Sequence, residues 1–207
     1  MKLVSGTGSE ETGACWMSAL HWYTRLGASW TDQPECVSPV VRKLCIKLND
    51  RLLTDADRER VIGPHLFVPV GTATGNADEI ARAYLCADRA VRVFAPYVLR
   101  AIDLDVQAAK LEALPEIASA ASAARSAAWA ARAAAGAARA AGATAWAARA
   151  AEAAAEAARA AASAARSAAW YEREMIRLIL DCCAIGRKAD VQPTRTKEEL
   201  MAFLCRT

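Results

Sequence analysis

Between Ala118 and Trp170 the chain carries 53 residues, of which 34 are alanine and none is Leu, Ile, Val, Phe or Met. Such a stretch cannot build a core from large side chains. Alanine has the highest helix propensity of any residue, so the tract is expected to be helical almost regardless of context. As one rod it would extend ~80 Å at ~1.5 Å per residue. The residues other than alanine are ordered. Ser122, Arg125, Trp129, Arg132, Gly136 and Arg139 follow steps of three and four, and so do Arg149, Glu152, Glu156, Arg159, Ser163, Arg166 and Trp170. This is a heptad with inverted content: two positions in seven carry bulk or charge, and the rest are mostly methyl groups. A mean step of 3.5 drifts by about 20° per heptad in the sense of a left-handed supercoil. The reading that follows places the polar stripe in water and the alanine flanks against other helices, in a coiled-coil-like arrangement. Because each buried methyl group contributes little area, many contacts are needed.

The repeat slips phase across GAARAAGAT, from Gly136 to Thr144. Two paths are open there. One helix runs through with a phase slip, or the chain turns back near Gly136–Gly142 as an antiparallel hairpin. The octapeptide SAARSAAW occurs at Ser122–Trp129 and again at Ser163–Trp170, which points to duplication of a short unit.

The flanking sequence also reads as helix. GACWMSALHWYTRLG places Trp16, Leu20 and Tyr23 on one face and stops at Gly27. Ser38-Pro39 is an N-cap followed by proline at the first helical position, ahead of Val40, Val41, Leu44, Cys45 and Leu48. Thr54 with Asp57, Asn76 with Glu79, and Thr196 with Glu199 have capping-box spacing. The helix after Asn76 presents Ile80, Tyr84, Ala87, Val91 and Phe94, and Pro96 is expected to kink or break it. VLRAIDLDVQAAKLEAL is read as one helical piece ending before Pro115. HLFVPVGTATG is the β-leaning run; with Pro69 inside it, an extended loop or one short strand is expected. Met175, Leu178, Ile179 and Cys182 share a face of a helix stopped by Gly186, and RKADVQPTRT links it to a tail helix. The expectation is an all-α protein. A compact helical N-terminal domain (1–114) is followed by an alanine-rich long helix or hairpin (115–186), then a linker and short C-terminal helix (187–207).

Seven cysteines at irregular spacings, with no apolar leader at the N-terminus, argue for reduced thiols and a cytoplasmic location. A net charge of +3 is too small to indicate a nucleic-acid or membrane partner. The tract has six arginines and two glutamates, net +4, with Trp129, Trp146 and Trp170 interleaved. Single-stranded nucleic acid would use such a pattern, but the glutamates in the stripe favour a solvated face.

TGACWMSA resembles the nucleophile segment of papain-like cysteine peptidases, in which Gly-x-Cys-Trp opens a helix. The matching positions are Gly13, Cys15 and Trp16. A thiol at a helix N-terminus gains from the dipole and the free N–H groups, and His65 is the available base. The resemblance implies a cysteine hydrolase, although no orienting Asn or Asp is identifiable. Cys15 and His21 lie about 120° apart around one helix, too far to share a metal ion; His21 reads as a surface or rim residue. No metal or cofactor is expected. The stretch QPECVSPVVRKLCIKLNDRL together with the SAAR and SAAW units resembles uncharacterised alanine-rich proteins of bacteriophages and high-GC bacteria, a group that carries no function to transfer.

The leading expectation is a non-enzymatic structural or interaction protein that associates, with itself or with another protein, through close-packed alanine faces. Its stripe would be Arg125, Trp129, Arg132, Arg139, Trp146, Arg149, Arg159, Arg166 and Trp170. The alternative is a hydrolase with Cys15 as nucleophile and His65 as base. A basic module for nucleic acid or a small anion ranks third.

Overall fold

A computed structural model describes residues 2–6, 8–9, 11–24, 30–119, 122, 153–189, 191 and 193–206, with 153–166 and 206 described by their backbone alone. The protein is mostly helical. Its sheet, among the described residues, is two short strands, β1 (Gly8–Ser9) and β2 (Gly13–Ala14), paired antiparallel with Gly8 opposite Ala14. The helices are α1 (Trp16–Thr24), α2 (Pro39–Arg51), α3 (Asp55–Ile62), α4 (Asn76–Arg89), α5 (Ala95–Arg100), α6 (Asp105–Glu112), α7 (Ala153–Ala184) and α8 (Lys197–Arg206).

The strands lie where none was expected. Ser9 makes the hairpin: its hydroxyl accepts the Glu11 and Thr12 N–H groups, each at 3.2 Å. The β-leaning run, conversely, forms no strand. Pro64 starts a 3₁₀ turn over Gly63–His65, and successive i→i−3 bonds follow from Val68 to His65, Val70 to Phe67 and Thr72 to Pro69. Those turns use the donors that a ladder would need.

Two compact units emerge. One comprises Met1–Arg82 with Glu172–Thr207, the other Ala83–Tyr171. The division falls inside α4 and α7. The reason is the amphipathic end of α7: Met175, Leu178, Ile179, Cys182 and Cys183 are buried, and that apolar stripe belongs with the N-terminal helices, not with the alanine tract.

In the first unit, α1 is buried on nearly every side. Trp16, Met17, Ser18, Ala19, Leu20, His21 and Tyr23 are all inside, as expected of a helix at the centre of a core. His21 is therefore not a rim residue. Val41, Cys45 and Leu48 form the buried stripe of α2, with Ser38 as its N-cap accepting from Val41 N at 3.2 Å. The termini of these helices are closed by side chains from other parts of the unit. Asn49 of α2 accepts Trp16 N of α1 and donates to Val4 O. Arg58 of α3 donates to Asn49 O and Leu52 O at the end of α2, and pairs with Asp55 at 2.9 Å. Arg195 donates to Trp22 O at the end of α1, where its guanidinium also lies 4.0 Å over the Trp22 ring.

The largest such junction is at α4. Glu79 was expected to cap its own helix; its carboxylate instead accepts Ser38 Oγ at 2.7 Å and Val40 N at 3.4 Å, at the start of α2. Arg82, fully buried, pairs with Glu79 at 2.7 Å and donates to Cys182 O, Ile185 O and Thr74 Oγ1. One ion pair thus closes the positive end of α2 and the negative end of α7, the assignment that helix dipoles favour. Of the expected apolar face, Tyr84, Ala87, Val91 and Phe94 are half-buried, but Ile80 is 47 % exposed while Arg82 and Asp88 are buried. Gly186 ends α7 at φ 60°, and a side chain there would collide with Asp78 Oδ2. Thr196 and Glu199 form the full reciprocal capping box of α8, at 2.6 and 3.1 Å.

In the second unit, Pro96 does not break the helix. A π-helical segment, Ala90–Phe94, absorbs it, with Ala95 N bonding to Ala90 O; the wider turn resets the register ahead of a residue that has no N–H. The piece read as one helix after it is two. Asp103 takes φ 60°, and Leu104 N reaches back to Leu99 O at 2.9 Å while Asp103 N bonds to Arg100 O. This is a Schellman ending with aspartate in the place usually taken by glycine. Leu99, Ala108 and Leu111 then form a small core flanked by Val91, Ala95, Leu104 and Leu114. The Gly27 stop and the Gly136–Gly142 turn or slip lie outside the described residues.

Candidate functional site

The Gly-x-Cys-Trp segment is built into the core. Cys15 precedes α1 and is its N-cap: its carbonyl accepts Ala19 N at 2.9 Å, and its sulfur accepts Ser18 N at 3.3 Å. The Ser18 hydroxyl lies 3.2 Å from the same sulfur. Trp16 N, a second donor at this helix start, is taken by Asn49. Ser18 N thus bonds the sulfur itself, while Trp16 N, given to Asn49, is not open to an oxyanion. Trp16 is fully buried, its indole N–H donating to Leu66 O at 2.9 Å.

Burial pushes the Cys15 thiol up, and the Ser18 hydrogen bonds only partly offset this. A nucleophilic cysteine needs the opposite shift. His65 ends the 3₁₀ turn and is half-buried. The geometry thus gives Cys15 a capping and packing role.

Cys45 and Cys183 share this core. Burial raises both, Cys183 to about 11 and Cys45 well above the ordinary thiol range, with the neighbouring Cys183 and Cys15 thiols adding to the effect at Cys45. All seven cysteines are free thiols. Among the described residues no group of three His, Cys, Asp or Glu side chains is arranged to hold a metal ion, and no helix is long and apolar enough to cross a membrane.

Of the expected interaction stripe, Arg125, Trp129, Arg132, Arg139, Trp146 and Arg149 lie outside the described residues. Arg159 and Arg166 occupy helical positions in α7. Trp170 is half-buried against its own chain. It stacks parallel to Tyr97, ring centroids 3.7 Å apart at 3°, and meets the edge of Phe94 at 5.6 Å. Tyr97 Oη donates to Ser167 Oγ at 3.1 Å. The last tryptophan of the repeat thus has partners within its own unit. Its partners stand three residues apart on either side of Pro96: Phe94, expected on the apolar face of the helix after Asn76, and Tyr97, which the sequence pattern did not single out. Three large aliphatics stay exposed in the same unit: Val98, Ile102 and Val106.

No family model, curated protein or solved structure matches the chain.

Proposed function

We propose that the protein is a non-enzymatic interaction protein that associates with itself through the alanine faces of its long helix. The observation that most supports this reading is the helical course of α7 over 32 residues, from Ala153 in the repeat to Ala184. A helix of that length extends ~48 Å, and its alanine-rich half has no large apolar side chain with which to hold a partner. Close approach of helix axes is the one strong contact such a surface can make, because methyl groups let backbones come nearer than the usual ~8–10 Å. The exposed Val98, Ile102 and Val106 add apolar surface to the unit that carries this half of α7. The engaged, upward-shifted Cys15 thiol weighs against the hydrolase alternative.

Light scattering over a concentration series tests the reading. The chain, 22.0 kDa as a monomer, is expected to exceed that mass as concentration rises. On a helix of 3.6 residues per turn, positions 154 and 161 lie about half a turn from the line of Glu152, Glu156, Arg159 and Ser163. The double variant A154E/A161E is expected to return to a monomer, while R159A keeps the assembly. A strict monomer at the highest concentration would overturn the proposal.

A further inference from the structure

The first unit contains a cleft of about 420 Å³ that the association surface does not use. Tyr23 from α1 and Phe67 from the turn after α3 form its aromatic side, edge to face with centroids 5.1 Å apart. Arg187, Lys188 and Lys197 line it from the segment after α7 and the first turn of α8, with Val191 between them. Three cations and no carboxylate therefore line the cleft among the described residues. None of the three is in an ion pair with a described residue. The Arg187 side chain is held by one bond, Nε to Val70 O at 3.3 Å, and Lys197 Nζ sits 5.1 Å above the Phe67 ring. Glu198, exposed, is the acidic neighbour whose charge acts on Tyr23.

The wall is fixed by backbone. Lys188 N donates to Gly71 O at 2.9 Å. Gly71 stands at φ +83°, where a side chain would come within 2.3 Å of Lys188 O. Only glycine allows the two segments to close up here, and the contact places the cationic segment opposite the aromatic rings. Like charges gathered at one concave place repel one another, and an anion relieves that cost. The volume suits a small molecule, and an aromatic wall below a cationic rim suits a planar ring joined to a multiply charged group.

We infer that this cleft binds a small phosphorylated molecule carrying an aromatic ring, of the nucleoside diphosphate kind, with Arg187, Lys188 and Lys197 on the phosphates and Phe67 and Tyr23 on the ring. The proposal is independent of self-association.

Isothermal titration of the full chain at low ionic strength, with ADP, inorganic pyrophosphate and adenosine as probes, tests it. ADP is expected to bind about two- to tenfold tighter than pyrophosphate, the gain that one aromatic contact gives; adenosine gives no saturable heat. R187A and K197A, both at exposed positions, each weaken ADP and pyrophosphate several-fold, and raised salt does the same. F67L brings ADP down to the level of pyrophosphate and leaves pyrophosphate unchanged. Circular dichroism and melting of each variant verify the fold, and R187A carries the test if F67L melts early. No saturable ADP heat at concentrations up to about 5 mM, equal affinity for ADP and pyrophosphate, or ADP binding unchanged by R187A and K197A would each overturn the proposal.

Discussion

The two compact units close their helix ends by different means. In the first, side chains travel from one helix to the terminus of another: Asn49 to α1, Arg58 and Glu79 to the two ends of α2, Arg82 to the end of α7. In the second, the chain closes its ends mainly with its own next residues, as at Asp103–Leu104 and at Ala113–Leu114; Asp88 accepting Ile117 N at 3.1 Å is the long-range exception. The difference shows how a chain with few large side chains divides its work. Buried polar junctions specify one arrangement but tolerate little loss, because each removal strands a buried partner. A surface of small groups specifies less and tolerates more.

The contrast breaks most readily at Arg82. Arg82→Met is expected to destabilise the protein by about 3–5 kcal/mol, because Glu79 and the Cys182 and Ile185 carbonyls lose a buried donor; urea unfolding followed by circular dichroism reads this. Arg82→Lys should not rescue it, since one ammonium cannot span acceptors that a guanidinium fork reaches together. Next comes Trp170→Ala, expected to cost ~2–3 kcal/mol through loss of the stack on Tyr97 and Phe94. Its signature is regional: hydrogen exchange should quicken in α5 and α6 more than in α2.

A third test uses alkali. Cys183 titrates near 11 in the fold against an ordinary value of 9.0, so the neutral thiol is the form the fold favours. Its contribution is complete below pH 9 and is lost as pH rises to about 11, where ~2–3 kcal/mol has gone. Denaturant midpoints between pH 8 and 11 should therefore fall, and Cys183→Ala should make the fall shallower. The smallest effect is local. Thr196→Ala opens the capping box of α8 and is expected to cost ~1 kcal/mol, seen as faster exchange of the amides at Glu198 and Glu199.

Legibility in the sequence follows the same division. Features set within a few residues were readable: Ser38-Pro39 as a helix start, Thr196 and Glu199 as a reciprocal cap, Gly186 as a stop, and the Met175–Cys182 stripe. Glu79 shows what was not. Its spacing from Asn76 marks a local cap, yet a carboxylate within reach of another helix's free N–H groups goes there, and no local pattern records that distance. Asp103 in the left-handed region and the π turn before Pro96 were hidden because each substitutes for a commoner solution. Cys15 sits in a recognisable motif, but its reactivity depends on what packs over it. The cationic cleft escaped notice because Tyr23, Phe67 and Lys197 are joined only by the fold.

The central claim is that the alanine-bearing region associates while the first unit stays as it is. Hydrogen–deuterium exchange at low and high protein concentration tests this most directly. The account predicts concentration-dependent protection in peptides covering Ala153–Ala169, with peptides of α2 unchanged. Exchange in Ala153–Ala169 that ignores concentration, or protection that rises in α2 instead, would contradict it.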